Sequence, residues 1–446
     1  MTDEMVENGQ CSLREAIQAA NTDSAVGGCP AGNGDDRILL ANGTYRLTVT
    51  GADEDDNATG DLDLHSNIAI SGLGVESTIV DGNQLDRVFH VHAGAVVSIE
   101  HLTIANGQTP DGADGENVAG EDGAPGGGLL NAGEVSLRSV AIRDNRTGNG
   151  GTNNNFEADA WSTGGDGGGI YNGGTLNLSH VILRSNQTGK GGNGGFGPAG
   201  DGGDGGGIAN IGTITIVDTW ITANATGESG SEFTLRAMKG GNGGGIFNAG
   251  TVMIVGSTIS ENYTASGRSA PYPPGNVGGS GGLGGGIYNT GVFTATNSTI
   301  SENYTADGAT NVCGKCGAGT GGDGGGLYNV GTITLQHATV AYNVSGEGGA
   351  SLFGQAKGGD GGGIYSDGIT NIQSTLLAAN IAGGDGPDCS ATLTSFGFNL
   401  VEDSATCIFH GSDVGNILDQ SAALLALADN GGATLTHRLI AGSPAV

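Results

Sequence analysis

The stretch "DEDDNATGDLD", residues 53–63, sets Asp53, Asp55, Asn57, Thr59 and Asp61 at alternate positions. This is the spacing of oxygen ligands in a calcium loop, so Ca2+ is the cofactor to expect there. The sixth position is Ala58 where such a loop takes glycine, and the twelfth is Leu64 where it takes glutamate. A solvated acidic loop is therefore the competing reading. His90 and His92 share one strand face with His101 nearby, a set that suits either a metal corner or satisfied surface histidines. Arg143 and Arg184 hold equivalent positions in adjacent repeats. An enzyme acting on uronic-acid polysaccharide would need a carboxylate pair or a calcium cluster beside such a base, and no acid pair recurs there. The two arginines thus read as solvated counter-charges. The recurring GGxGGG fits a nucleotide-binding pattern but leads into a strand instead of a helix, which rejects a nucleotide site.

These residues are carried by a repeat. Blocks beginning with GGG start at 126, 167, 205, 243, 284, 324 and 361, in steps of 37 to 41 residues. Five residues on stand Asn131, Asn172, Asn210, Asn248, Asn289, Asn329 and then Ser366; nineteen on stand Asn145, Asn186, Asn224, Asn262, Asn303, Asn343 and Asn380. All length variation falls between that last asparagine and the next GGG, the mark of a stacked solenoid whose inserts leave from one side. Apolar residues alternate in short, β-branched runs, such as Leu176 and Leu178 or Ile214 and Ile216, which argues for strands. Three short strands per coil predict an all-β parallel β-helix rising about 4.8 Å per coil. Asparagine tolerates left-handed turns, and its amide can bond to the coils above and below. Six of the second-row asparagines also read as N-x-S/T glycosylation sites, but an inward asparagine cannot carry a glycan, so the row is expected to be structural.

Alternation points outward the residue four on from the start of each block, which lines up Leu130, Tyr171, Ala209, Phe247, Tyr288, Tyr328 and Tyr365, five of them aromatic. Rings in such a row can stack on sugars, making a polysaccharide or cell-surface glycan the partner to expect. Packing beneath the adjoining inserts is the alternative.

A net charge of -31, from 46 acidic and 15 basic residues, argues against nucleic acid and anionic membrane surfaces as partners. The longest apolar stretch, AALLALA at 422–428, is far below the roughly 20 residues of a membrane span, so no membrane insertion is expected. The 92 glycines lack the strict period of collagen and call for tight turns and extended loops. Six cysteines fall as three local pairs, Cys11 with Cys29, Cys313 with Cys316 and Cys389 with Cys407, read as disulfides formed in an oxidising compartment. Residues 1–10 do not resemble a signal peptide, and the chain is expected to be the mature part of an exported protein, secreted or at the cell surface.

Both solenoid ends need covers. "CSLREAIQAAN" reads as an N-terminal capping helix over 12–20, with Ser12 and Glu15 as a capping box, and "SAALLALADNGG" as a second short helix ended by glycine. "CSLREAI" matches the signature of the CSLREA domain, and "GFNLVEDSATC" through "LIAGSPA" resembles the closing segment of the same surface proteins, often labelled choice-of-anchor proteins. The GGGIYN blocks are similar to those of polymorphic outer-membrane-protein-like proteins, and the wider fold to the pectin-lyase-like superfamily. The resemblance implies a right-handed β-helix with a disulfide-stapled C-terminal cap and specifies no reaction. The chain divides accordingly into a cap at 1–37, irregular coils at 38–125, seven GGG coils at 126–380 and a C-terminal cap at 381–446. Three functions are expected of such a chain. The first is a structural, adhesive or glycan-binding rod without a catalytic role; the second is a polysaccharide lyase or hydrolase; the third is a self-assembling protein whose glycine inserts associate laterally.

Overall fold

The computed structural model describes all residues except 1–2, 7, 53, 117, 155–160, 196–197, 232–237, 270–276 and 312–315. The chain is a parallel β-solenoid, with one short helix among the described residues. In each of the first six GGG coils the first two strands, such as Ile208–Asn210 and Thr213–Val217, join a 20-stranded sheet, and the third, such as Trp220–Thr222, joins a 12-stranded one; in the seventh the first two merge into one strand, Ile364–Gln373. Like residues pair with like: Ile170 aligns with Ile208 and Asn172 with Asn210. One continuous core runs from Leu13 to Val401, with Leu129, Ile170, Ile208, Ile246, Ile287, Leu327 and Ile364 all 0% exposed.

The first glycine of every GGG has φ between 66° and 71°, a conformation L side chains rarely adopt. At the second, a Cβ would strike backbone, 2.4 Å from the Gly206 carbonyl in the case of Gly168. The asparagines follow, in two buried ladders. In one, Asn172 Nδ2 donates to Asn210 Oδ1 at 2.8 Å and Asn210 to Asn248 at 2.8 Å. In the other, Asn186 donates to Asn224 and Asn224 to Asn262, both at 2.9 Å. The expected left-handed turn falls elsewhere: Asp144, Ser185, Ala223, Glu261, Glu302, Tyr342 and Ala379, each one residue before a second-row asparagine, have positive φ, and the ladder asparagines do not. Asparagine is needed there for its amide, which donates and accepts at once.

The sequon-like N-x-T has a structural reason. Two residues past six of the seven second-row asparagines, a hydroxyl ties the coil to its insert: Thr188 Oγ1 donates to the Gly203 carbonyl at 2.6 Å and accepts the Gly227 N–H at 2.8 Å. The described parts of the inserts pack into a second layer of extended chains. The outgoing and returning legs bond to each other, as in Gly203 N–H to the Gly189 carbonyl at 3.0 Å. They also bond to the next coil, as in Gly164 N–H to the Asp201 carbonyl at 3.1 Å. Extended chains without internal hydrogen bonds leave their backbone groups free for neighbours on several sides, and only glycine lets those neighbours come so close.

At the N-terminus, Leu13–Thr22 is a helix with Ser12 and Glu15 in a reciprocal capping box, and Cys11–Cys29 staples it. Leu13, Ile17 and Ala20 close the end of the core. Past Asn380 the repeat fades from the sequence, yet both sheets continue through Cys389–Phe396 and Leu400–Val401, then Cys407–Ser412 and Ile417–Leu418, with Cys389 bonded to Cys407. Cys316 is disulfide-bonded, and its expected partner Cys313 lies outside the described residues. The second helix expected within 421–432 is instead a hairpin, Leu424–Ala428 against Thr436–Leu439. It folds back along the solenoid, where the Leu435 carbonyl accepts from Thr258 Oγ1 at 2.6 Å and the Leu424 carbonyl from Tyr342 at 3.2 Å. The Leu424 carbonyl would be unavailable in a helix, whose carbonyls bond internally, so docking overrides local propensity.

Candidate functional site

One outward row runs the length of the rod. Its side chains stand between two inward positions of the first strand, and parallel register aligns them coil by coil. The row is Asp63, His90, Leu130, Tyr171, Ala209, Phe247, Tyr288, Tyr328, Tyr365 and Ser390.

Its first two members open a cluster of histidine and aspartate. Asp63, whose side chain is 0% exposed, places Oδ1 2.8 Å from His92 Nε2 and 3.4 Å from His90 Nδ1. Asp55 Oδ1 lies 3.5 Å from the same His90 nitrogen. His65 stacks on His92 with ring centroids 3.9 Å apart and contacts the Asp55 carbonyl through Nε2 at 2.5 Å. Burial would raise the Asp63 carboxyl, but hydrogen bonds from His90 and His92 outweigh it and hold it low. Burial lowers His92, and the neighbouring His90 and His65 lower it further.

The capping helix positions this cluster. Arg14, 0% exposed, pairs with Asp3 at 2.8 Å. Its guanidinium also donates to the carbonyls of Asn57, Thr59, Gly60 and Asp61. Asn57 Nδ2 donates back to the Arg14 carbonyl at 2.9 Å, and Asn57 N–H holds Asp63 Oδ2 at 3.0 Å. The acidic loop is thereby clamped against the cap on one side and carries Asp55 to the histidines on the other.

Of the five alternating oxygens, Asp53 lies outside the described residues, and the other four do not converge. Asp55 joins the histidines, Asn57 faces Arg14 and Gln18, Asp61 pairs with Arg87 at 2.7 Å, and the Thr59 carbonyl accepts from Arg14. His101 stands apart, 4.0 Å from Glu100. Arg143 and Arg184 are register partners, and Arg143 pairs with the adjacent Asp144 at 2.7 Å. Sequence reasoning passed over Asp63 and His65. Their signal was the alignment of "LDLH" with "FHVH" across one coil, which pairs Asp63 with His90.

Further along the row, the rings of Phe247, Tyr288, Tyr328 and Tyr365 stack on one another, with centroids 5.5, 5.1 and 5.0 Å apart and planes within 10°. Ring faces meet ring faces, so this stack presents edges and hydroxyls outward. Tyr171 is separated from it by Ala209, which is buried. Burial, with neighbouring tyrosines and Asp323, raises Tyr328 well above an ordinary phenol, so the hydroxyl remains protonated at neutral pH.

The insert aspartates form rungs. Asp166 Oδ1 accepts the Asp204 N–H at 2.7 Å, Asp204 Oδ1 the Asn242 N–H at 2.6 Å, and Asn242 Oδ1 the Leu283 N–H at 3.1 Å. Burial raises the Asp166 and Asp204 carboxyls, and the charge of Asp166 raises Asp204 further. With the folded pKa above the unfolded one, the stabilising contribution is complete below the ordinary aspartate pKa and is lost as pH rises through the raised value. Asp204→Asn keeps the rung, as Asn242 does one coil on, and removes the buried charge. It is expected to stabilise the protein at pH 7.5 by about 1–2 kcal/mol, on the scale of about 1.4 kcal/mol per pKa unit, with no difference near pH 4. Urea unfolding at the two pH values checks this, and equal midpoints at pH 7.5 would refute it.

No protein-family model matches the chain, and no curated protein matches it. Among solved structures it is similar to pectate lyase Pel9A, at 11% identity over 93% of this chain and 85% of that one, with a TM-score of 0.34. It is also similar to the A-modules of two mannuronan C-5 epimerases of Azotobacter vinelandii. AlgE4 is 9% identical over 93% of this chain and 95% of that one, with a TM-score of 0.30. AlgE6 is 12% identical over 93% and 97%, with a TM-score of 0.34. At these identities the likeness is one of fold.

Proposed function

We propose that this chain is an extracellular rod with a structural or adhesive role that offers the hydroxyl-bearing edge of its outward row to polysaccharide. The observation that carries the reading is the commitment of the repeat's polar residues to coil-to-coil bonds. Two asparagine ladders, the threonine ties and the aspartate rungs link every GGG coil to the next through both the solenoid and the glycine layer. A body bonded along its whole length suits spanning a distance or presenting a face. The disulfides accord with an oxidising compartment, and no helix among the described residues is long and apolar enough to cross a membrane.

On this reading the tyrosine edges make the contact, with Asp323 and Asp367 close enough to perturb Tyr328. Titration with pectate, alginate and neutral glucans, with and without calcium, tests it. Tyr288→Ala with Tyr328→Ala is expected to weaken binding to the responsive glycan about tenfold, since aromatic contacts are each worth about 0.5–1.5 kcal/mol. Unchanged affinity in the double variant refutes the edge as the contact. Release of unsaturated uronic products from any of these polymers would replace the rod reading with a lyase.

A further inference from the structure

We propose that Asp55, Asp63, His90 and His92 form a binding site for a divalent transition-metal ion of the zinc class, which pins the acidic loop to the first coils of the solenoid. Their four donor atoms, two imidazole nitrogens and two carboxylate oxygens, lie within 4.8 Å of one another. Donors about 2.0–2.1 Å from a tetrahedral zinc stand about 3.3 Å apart. Three of the separations here, 2.8, 3.4 and 3.5 Å, already bracket that value. Small side-chain rotations bring in the rest.

The donor set selects the ion. Calcium and magnesium take six or more oxygens, whereas the carbonyls of Asn57, Thr59, Gly60 and Asp61 face Arg14, the Asp61 carboxylate pairs with Arg87, and the Glu54 carboxylate accepts the N–H groups of Asp56 and Thr59. Two imidazoles with two carboxylates suit zinc, cobalt or nickel, and the two carboxylates balance the charge of the ion. The surrounding contacts are those that orient ligands. Asp63 has Oδ2 fixed by the Asn57 N–H and Oδ1 turned to the histidines, and His65 stacks on His92 while contacting the Asp55 carbonyl. Asp63 and His90 sit on rigid paired strands of adjacent coils, whereas Asp55 is 74% exposed at the end of the clamped loop. An ion entering from solvent meets three placed ligands and draws in the fourth. The link joins the loop before the strand Leu62–Leu64 to the strand Phe89–Val91, a crosslink at the end of the rod that lies next to the cap.

The test uses the full chain, treated with chelator and dialysed, then titrated calorimetrically with zinc chloride, and in parallel with cobalt chloride followed by its visible absorption. One equivalent of zinc is expected per chain, with a melting temperature several degrees higher that chelator reverses, and with cobalt bands of tetrahedral type. His90→Ala with His92→Ala should abolish stoichiometric binding. Asp55→Asn, at an exposed side chain whose loss leaves folding intact, should weaken it at least about tenfold, and His101→Ala should leave it unchanged. Absence of stoichiometric binding overturns the proposal. So does parent-like affinity in Asp55→Asn, or calcium binding at this site in preference to zinc. None of these readouts involves a glycan, so this site and the rod's ligand stand or fall separately.

Discussion

Gly202→Ala is expected to destabilise the protein by about 3 kcal/mol, at the upper end of the range for overpacking, although it adds a single methyl group far from any site. A Cβ at Gly202 would lie 1.8 Å from the Gly227 carbonyl oxygen and 2.5 Å from its carbon. Both are backbone atoms that cannot rotate aside. The obstruction sits inside a layer in which Gly202 N–H donates to the Lys239 carbonyl and the Gly227 carbonyl accepts from Gly241. Relief in one place therefore breaks bonds in another. All seven equivalent positions, three residues before each GGG, are glycine: Gly123, Gly164, Gly202, Gly240, Gly281, Gly321 and Gly358. Gly173→Ala is the matched control, because the nearest atom to its Cβ would be 3.6 Å away; its effect should stay within about 0.5 kcal/mol. Urea midpoints of the two variants provide the comparison. If Gly202→Ala unfolds with the parent, the glycine layer contributes nothing to the stability of the rod.

Asn224→Ala should cost about 3–5 kcal/mol, because it removes one rung from the middle of a buried ladder. Asn224 Oδ1 accepts both the backbone N–H and the side-chain amide of Asn186, at 3.0 and 2.9 Å. Its Nδ2 donates to the Leu183 carbonyl at 3.0 Å and to Asn262 at 2.9 Å. Truncation strands the Asn186 N–H in a region with no access to water, and a buried donor left unmade costs about 1–3 kcal/mol by itself. The lost volume adds a cavity. Since each coil touches only its neighbours, the loss should appear as earlier fraying around this coil, seen as faster amide exchange in Ile221 and Ile259 than in Ile364. Uniform exchange along the rod in the variant would contradict this placement of the damage.

Much of this was legible from residue spacing. A row of identical residues one repeat apart can only be a stack, and the two asparagine rows, the core positions 170, 176, 178 and 183, and the Ser12–Glu15 capping box all stand where that logic sets them. The outward tyrosines were also legible as a row. Their face-to-face stacking was not, because spacing fixes where a Cβ sits and leaves the ring torsion open. The insert aspartates illustrate the same gap. Among glycines they resemble weak chelators or solvating charges, and their use as rungs appears only when the next coil's N–H is in place.

The sequence by itself determined the solenoid, since parallel stacking brings each residue against its own counterpart and a periodic pattern then reports its own neighbours. The tertiary structure alone decided three things: that the glycine inserts form a bonded second layer, that "LLALA" is a strand, and that Asp55 and His65 meet Asp63, His90 and His92. The hairpin, the cluster and the pairing of each insert's outgoing leg with its returning leg all join segments that are not copies of one another. The hairpin docks on coils far back in the chain, about 180 residues away for Thr434 and Gly256, and the cluster depends on Arg14 clamping a loop more than 40 residues ahead of it. Contacts of this kind are chosen by which donors and acceptors remain unpaired once the coils have formed, a quantity that exists only in three dimensions.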